Sequence, residues 1–234
     1  MKIIHFRKED LSKYGIETSC EVFTIHVRID DVKTRASEMI KTISDRSWIN
    51  KLNSVGRTSF EARAKRTIDR LVTDIFSKVE NSVTSEFGEY MISDTAQCAL
   101  ENECKHTKVP IAELIKEKVI GNPGFDFHTE STSEIIVFGE AKYSSTDNPH
   151  GEAISQIIEF IHDEKDLMDL AILDRFVSSK SVKNACDGIK AYIAAFSLNS
   201  SNPCLIFKNA LTSGNMKKLY CYPELYLIGV EVCA

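Results

Sequence analysis

The sequence lacks several features that would place it in a specialised class of protein. Its seven cysteines include no C-x-x-C pair, which excludes the common zinc-binding spacings, and their odd number fits no disulfide framework. No apolar run approaches the roughly 20 residues of a membrane-spanning helix. We therefore expect reduced, mostly buried thiols in a cytoplasmic protein that does not cross a membrane.

Glycine and proline are also scarce, with 10 and 5 residues among 234, so no linker divides the chain. This length, with 43% hydrophobic residues, is enough for a full core without metal or disulfide cross-links. We predict one domain over residues 1–234. Within it, residues 1–56 form an N-terminal strand and helix extension, and residues 57–234 form the core.

The sequence has no excess of positive charge either, because it contains 29 Lys and Arg residues and 34 Asp and Glu residues, for a net charge of −5. This balance excludes a free-standing polybasic nucleic-acid-binding protein, but it leaves room for a local basic face. Residues 57–70 carry a local charge of +3, with the cations Arg57, Arg63, Lys65, Arg66 and Arg70. They could follow a nucleic-acid backbone. The more frequent explanation for such a cluster is the solvated face of an amphipathic helix.

Hydrophobic periodicity predicts helices and strands in mixed order. The predicted helices span residues 31–44, 59–80, 82–104, 151–176, 181–187 and 204–213. The predicted strands span residues 20–29, 125–129, 134–143, 189–197 and 223–232. Residues 121–124 (Gly-Asn-Pro-Gly) are a strong turn signal before the second strand. Helices that flank a mixed central sheet make the predicted fold class α/β.

The predicted hairpin of residues 125–129 and 134–143 brings charged side chains together. With residues 131–133 as its turn, Asp126 lies opposite Phe138, and Glu140 is the next residue on the same face. Lys142 shares that face because it lies two residues after Glu140. The strand before these charges is apolar, and charges at the end of a buried strand are costly unless they are paired or bound to metal.

These three side chains suit phosphodiester hydrolysis. Two carboxylates can hold Mg²⁺, which acts as a Lewis acid on a phosphoryl oxygen and lowers the pKa of a water molecule. A neighbouring lysine can orient or help to deprotonate that water and can stabilise charge on the phosphate. The Glu-x-Lys pattern alone is weak, because it also occurs at Glu103 and Lys105, where we predict a solvated helix end, and because a strand often carries it as an exposed ion pair.

A resemblance adds to this interpretation. Gly124-Phe-Asp126, followed 14 residues after the aspartate by Glu140-Ala-Lys142 on an apolar strand, resembles the PD-(D/E)xK nuclease superfamily. More narrowly, residues 85–145 resemble the HamA-like nuclease subunit of Hachiman anti-phage defence systems. The resemblance implies a restriction-endonuclease-like α/β fold, with a mixed central sheet flanked by helices. It also implies DNA cleavage that depends on Mg²⁺ or Mn²⁺ and a helicase or ATPase partner subunit. Because no recognition module is evident, we expect little sequence preference.

The resemblance also implies roles for individual residues. It makes Asp126 and Glu140 metal ligands, Lys142 the catalytic lysine, Glu89 a third metal ligand from a helix, and Gln156 a contact to phosphate or water. One departure from the motif is that Pro123 lies three residues before Asp126 instead of next to it.

Alternatives remain open at two of these positions and for the function as a whole. Glu86, one helical turn before Glu89, could supply the helix carboxylate. Gln156 lies among isoleucines and fits a polar contact at the sheet edge equally well. The chain could instead be a binding or regulatory subunit with restrained or no autonomous activity. It could also be a restriction-type endonuclease, although no zinc finger or helix-turn-helix recognition module is evident.

Overall fold

In the computed structural model, residues 1–75, 83–116 and 124–233 are described. The strands of this part of the chain form one mixed sheet. They are β1 (Lys2–Lys8), β2 (Glu21–Ile29), β3 (Thr107–Lys108), β4 (Phe127–Glu130), β5 (Ile136–Lys142), β6 (Ala191–Ser197) and β7 (Glu224–Val232). Their order in the sheet is β1-β2-β7-β6-β5-β4-β3. The four central strands β2, β7, β6 and β5 are parallel, whereas β1 at one edge and the β4–β3 pair at the other run antiparallel to their neighbours.

Helices surround this sheet. They are α1 (Val32–Ser44), α2 (Ser54–Arg70), α3 (Ser85–Cys104), α4 (Ala112–Ile115), α5 (His150–His162), α6 (Lys165–Leu173), α7 (Ser179–Cys186), α8 (Pro203–Thr212) and α9 (Gly214–Leu219). The predicted α/β class, with helices around a mixed central sheet, is confirmed. Across the described ranges, no helix combines the length and the apolar character that crossing a membrane requires.

The centre of the sheet is buried on both faces. Every residue of β6 is buried, which requires packing above and below the strand and explains its near-continuous apolar sequence. Helix α3 packs on β4, β5 and β6, and α5 packs on β5 and β6. Phe160 of α5 meets Phe125, whose ring in turn meets Phe138 of β5, each at 5.2 Å between centroids. The end of β5 is therefore held firmly between long helices.

Two predicted helices differ from the observed ones. The helix predicted over residues 151–176 is two helices, because Glu164 adopts a left-handed conformation with a φ of 56° between α5 and α6. Apolar residues recur across this break, so periodicity does not reveal it. The helix predicted from residue 59 begins earlier, at Ser54, where the Asn53 side chain caps it by accepting from the Gly56 N–H. A π-helical turn, Leu71–Ile75, follows it, and residues 76–80 lie outside the described residues.

Several short elements were not predicted, namely β1, β3, α4 and α9. Strand β1 pairs antiparallel with β2, and β2 pairs in parallel with β7. Residues 1–56 thus contribute two strands to the same sheet as the rest of the chain. Elements as short as β3 and α4 contain too few residues for a periodic signal. Most of the predicted turn at residues 121–124 lies outside the described residues.

The cysteines are free thiols, as expected, but the expectation that most are buried is wrong. Only Cys20 is buried, and Cys186, Cys204 and Cys221 are exposed. Cys186 and Cys204 lie at helix ends and Cys221 follows α9, all positions at which the chain meets solvent. Reduced thiols at such positions need no partner, so sequence alone does not separate them from buried ones.

Candidate active site

The hairpin of β4 and β5 brings Asp126 and Glu140 together. Phe127 pairs with Gly139 and His128 pairs with Phe138, so Asp126, just before β4, falls opposite Glu140. The predicted register, with Asp126 opposite Phe138, is therefore wrong by two residues. The turn is longer than predicted because it includes Glu134, which has a φ of 57°. An even shift preserves the face on which each side chain lies.

Hydrogen bonds hold Asp126, Glu140 and Lys142 in place. The Ala141 N–H donates to Asp126 Oδ2 at 2.9 Å, and the Asp126 N–H donates to the Gly139 carbonyl oxygen at 2.9 Å. Lys142 Nζ donates to Glu140 Oε1 at 2.6 Å. The second carboxylate oxygen of Glu140, Oε2, is buried and accepts no hydrogen bond from any described residue.

The electrostatics of this site disfavour two ionised carboxylates. Desolvation raises the pKa of Asp126 to about 7, and the charge of Glu113 acts in the same direction, against the Ala141 N–H and the Lys142 charge. Burial, and then the charge of Asp126, raise the pKa of Glu140 well above its usual value. Burial alone would lower the pKa of Lys142, but Glu140 and Asp126 raise it. Lys142 is thus a cation, and its single positive charge is not enough to balance the two carboxyl groups beside it.

Helix α3 places Glu89 beside this set and directs Glu86 elsewhere. The charge of Glu89 contributes to the raised pKa values of both Asp126 and Glu140. Glu86 Oε1 accepts from Arg70 Nη2 of α2 at 2.9 Å, in an exposed ion pair. Both glutamates line a small pocket together with Asp126, and only Glu89 acts on both strand carboxyls. The role of Glu89 as the helix carboxylate and third metal ligand stays a prediction, and so does the alternative Glu86, which lines the same pocket.

Glu113 of α4 is a member of the site that the sequence analysis missed. Of the charged neighbours of Asp126, Glu113 raises its pKa most. It also lines the small pocket that contains Asp126 and Glu89. Glu113 lies on a four-residue helix 13 residues before Asp126, and so short a helix carries no periodic signal that would have revealed this placement.

Two glycines allow the close packing around these residues. A Cβ at Gly139 of β5 would lie 2.4 Å from Cζ of Phe127 on the paired strand. A Cβ at Gly88 of α3 would lie 2.2 Å from Cγ of Tyr143, the residue after Lys142. Glycine is required at Gly88 because the helix carrying Glu89 approaches the end of β5 so closely.

Gln156 lies on α5 and is half-buried. No hydrogen bond or ion pair between described residues joins it to Asp126, Glu140 or Lys142. Its neighbour Ser155 accepts a hydrogen bond from Asn215, which connects this turn of α5 to α9. The role that the resemblance implies for Gln156 therefore stays a prediction.

The donor set fits a hard divalent cation held by two protein ligands. Carboxylate oxygens are the preferred ligands of Mg²⁺, and Glu140 Oε2 is an acceptor without a donor among the described residues. In the described ranges, no three His, Cys, Asp or Glu side chains come together to hold a metal ion. One or two carboxylates are usual for Mg²⁺, which keeps several waters and binds substrate phosphates. Asp126 and Glu140 are sufficient for such a site.

Comparisons with known proteins bear on the whole chain. Among curated proteins, none matches this sequence. A family model does match: that of HamA aligns with residues 2–221, a range that contains the hairpin and the helix with Glu89. Because this match covers nearly the whole sequence, the chain belongs to the HamA family.

Proposed function

We propose that this chain is a metal-dependent DNA endonuclease that hydrolyses phosphodiester bonds with little sequence preference. The observation that carries the proposal is the hairpin end, where two carboxyls with raised pKa values face each other beside a cationic lysine. Perturbed titratable groups clustered in this way are typical of catalytic sites. Membership of the HamA family supports a role as a Hachiman defence subunit. We propose that it is the effector subunit and acts with a helicase partner.

Asp126 and Glu140 would hold the cation, Mg²⁺ or Mn²⁺. When bound, it supplies a Lewis acid for a phosphoryl oxygen and makes a water molecule easier to deprotonate. The Ala141 N–H fixes the orientation of the Asp126 carboxylate through its 2.9 Å hydrogen bond. Glu140 offers its buried Oε2 to a ligand while Oε1 accepts from Lys142.

Lys142 acts as a cation in this scheme. Glu140 and Asp126 raise its pKa, so the side chain is protonated at neutral pH before a metal ion binds. A protonated ammonium beside the scissile phosphate would stabilise the negative charge that develops in the transition state. Its hydrogen bond to Glu140 holds the ammonium in place before substrate arrives.

The test is cleavage of supercoiled plasmid DNA with Mg²⁺ or Mn²⁺, and with EDTA as the metal-free control. We expect Lys142→Ala and Glu140→Ala to lower the rate by about 10³-fold or more, since each removes a group that stabilises the transition state. Glu103→Ala is a matched control because it alters the second Glu-x-Lys pattern, at an exposed helix end. It should cleave like the wild type.

Undiminished cleavage by Lys142→Ala or Glu140→Ala contradicts the proposed site. If the wild-type chain fails to cleave DNA in the presence of Mg²⁺ and also in the presence of Mn²⁺, it has no autonomous nuclease activity. That result would favour a binding or regulatory subunit. Cleavage confined to one short DNA sequence would favour a restriction-type enzyme.

A further inference from the structure

A basic cleft lies along helix α2. With about 100° of rotation per residue, Arg63, Arg66 and Arg70 project within roughly 60° of one another, beside buried Phe60, whose ring lies 5.8 Å from Cζ of Arg63. All three arginines are exposed. They line a cavity of ≈ 580 Å³, whose walls also include Lys116, Tyr90 and Glu113.

This cleft opens onto the candidate active site. Tyr90 and Glu113 line both the cleft and the small pocket that contains Asp126 and Glu89. The ion pair between Arg70 and Glu86 joins the two cavities, since Arg70 lines the cleft and Glu86 lines the pocket. A polymer seated along the arginines would therefore lie next to the pocket that contains Asp126.

The charges of the two cavities are opposite. The pocket is lined by the acids Glu86, Glu89, Glu113 and Asp126, which repel a phosphate unless a cation is bound. The cleft beside it carries four cations against one acid, so it supplies the attraction that the pocket lacks. Lys116 is committed to Asp169 and to the Phe125 carbonyl oxygen, and it contributes mainly its charge.

The arginines are placed to accept a ligand. Arg66 forms no hydrogen bond or ion pair with any described residue. The Arg70–Glu86 pair is about half exposed on both sides, and such pairs are weak enough to exchange partners. Arg57 and Lys65, the other cations of the basic sequence cluster, do not line the cleft, and Arg57 donates to the Asn50 carbonyl oxygen instead.

We propose that this cleft binds the phosphodiester backbone of the nucleic-acid strand that the active site cuts, which rests on the proposed nuclease function. From Arg63 to Arg70 the helix rises by about 10 Å, over which one strand of B-DNA carries about three phosphates. Guanidinium groups bind phosphates in bidentate fashion. Contacts of this kind position a strand without reading its sequence.

The experiment measures binding of the full chain to a labelled 20-base-pair duplex and to one of its single strands, by fluorescence anisotropy in EDTA. We expect Arg66→Gln to weaken binding by about 3- to 10-fold, and Arg63→Gln with Arg66→Gln to weaken it further. Each lost contact should reduce the slope of log affinity against log salt by about 1. Lys65→Gln is the matched control, because it removes one exposed charge from another face of α2.

Thermal unfolding of each variant checks that α2 is intact. Equal effects of Arg66→Gln and Lys65→Gln, or no wild-type binding to either DNA, would overturn the proposal. The form of DNA whose binding depends on the arginines is the form that the cleft accepts. If the arginine variants bind DNA as the wild type does and cleavage still depends on Lys142, the cleft proposal fails and the proposed nuclease function stands. If binding depends on the arginines but no cleavage occurs, the nuclease function fails and the cleft proposal stands.

Discussion

Two clusters of acids and bases lie near strand β4, and they differ in how their charges are balanced. In one, Asp169 of α6 accepts from His128 of β4 at 3.0 Å and from Lys116. In the other, Asp126 and Glu140 share the single ammonium of Lys142. Desolvation alone would raise the pKa of Asp169, but His128 and Lys116 lower it. The pKa of Asp126, by contrast, rises to about 7.

This difference separates a cluster that stabilises the fold from one that is prepared for a ligand. A carboxylate with a lowered pKa is more stable in the folded than in the unfolded chain, so it adds to folding stability at neutral pH. A carboxyl with a raised pKa has too little positive charge in its surroundings, and a divalent cation would supply that charge. We call the Asp169 cluster complete because its carboxylate accepts from two basic side chains, although His128 Nδ1 is buried without a hydrogen-bond partner among the described residues. The Asp126 cluster is incomplete without a ligand, because its carboxyls lack such a balance of charge.

The largest expected effect comes from breaking the complete cluster. Asp169→Ala leaves Lys116 and His128 without their acceptor in a mostly buried position, and we expect a loss of about 3 kcal/mol in the free energy of unfolding. Urea unfolding measures it. Asp163→Ala removes an exposed partner of His162 and should change stability by less than about 0.5 kcal/mol. Equal small losses in both variants would contradict the structural role of Asp169.

The incomplete cluster should respond to pH in the opposite sense. Because the pKa of Asp126 is about 7 in the folded chain and 3.8 is its ordinary value, the folded chain binds more protons than the unfolded chain between these two pH values. Its stability therefore falls as pH rises through this range. In EDTA, Asp126→Asn should remove about 2.5 kcal/mol of the loss in unfolding free energy that the wild type shows between pH 5 and 8. If the free energy of unfolding changed with pH in the same way for both proteins, the ionised form of Asp126 would not be destabilised in the folded chain.

A smaller effect should follow from disturbing the packing that joins α3 to the incomplete cluster. Gly88→Ala places a Cβ against the Tyr143 ring, and we expect a loss of about 1.5 kcal/mol in stability together with slower cleavage. Gly151→Ala is the control, since nothing lies within 4 Å of its Cβ position. Calorimetry and plasmid cleavage measure the two effects. A stable and fully active Gly88→Ala protein would mean that the ring moves aside freely.

The smallest effect distinguishes the two helix carboxylates. Glu89→Gln removes a charge that acts on both Asp126 and Glu140, and we expect about 10-fold slower cleavage, or about 1.4 kcal/mol in the barrier. Glu86→Gln breaks only an exposed pair with Arg70 and should slow cleavage by less than about 3-fold. The reverse order would assign the helix carboxylate to Glu86.

Much of the fold could be predicted from local patterns in the sequence. Strand β2 and helices α1 and α3 begin and end within three residues of their predicted bounds. The breaks at Glu134 and Glu164 could not be predicted, because each depends on a single non-glycine residue in a left-handed conformation. One such residue lengthened the hairpin turn and shifted its register by two.

For the site, the sequence alone determined that Asp126, Glu140 and Lys142 share a face, because side chains alternate along any strand and an even register shift preserves the alternation. Tertiary structure decided which distant charges surround them. Glu89, Glu113 and the arginine cleft lie on α3, α4 and α2, and their positions depend on how those helices pack. Alternation is a property of the chain itself, whereas helix packing depends on shape complementarity between segments far apart in sequence.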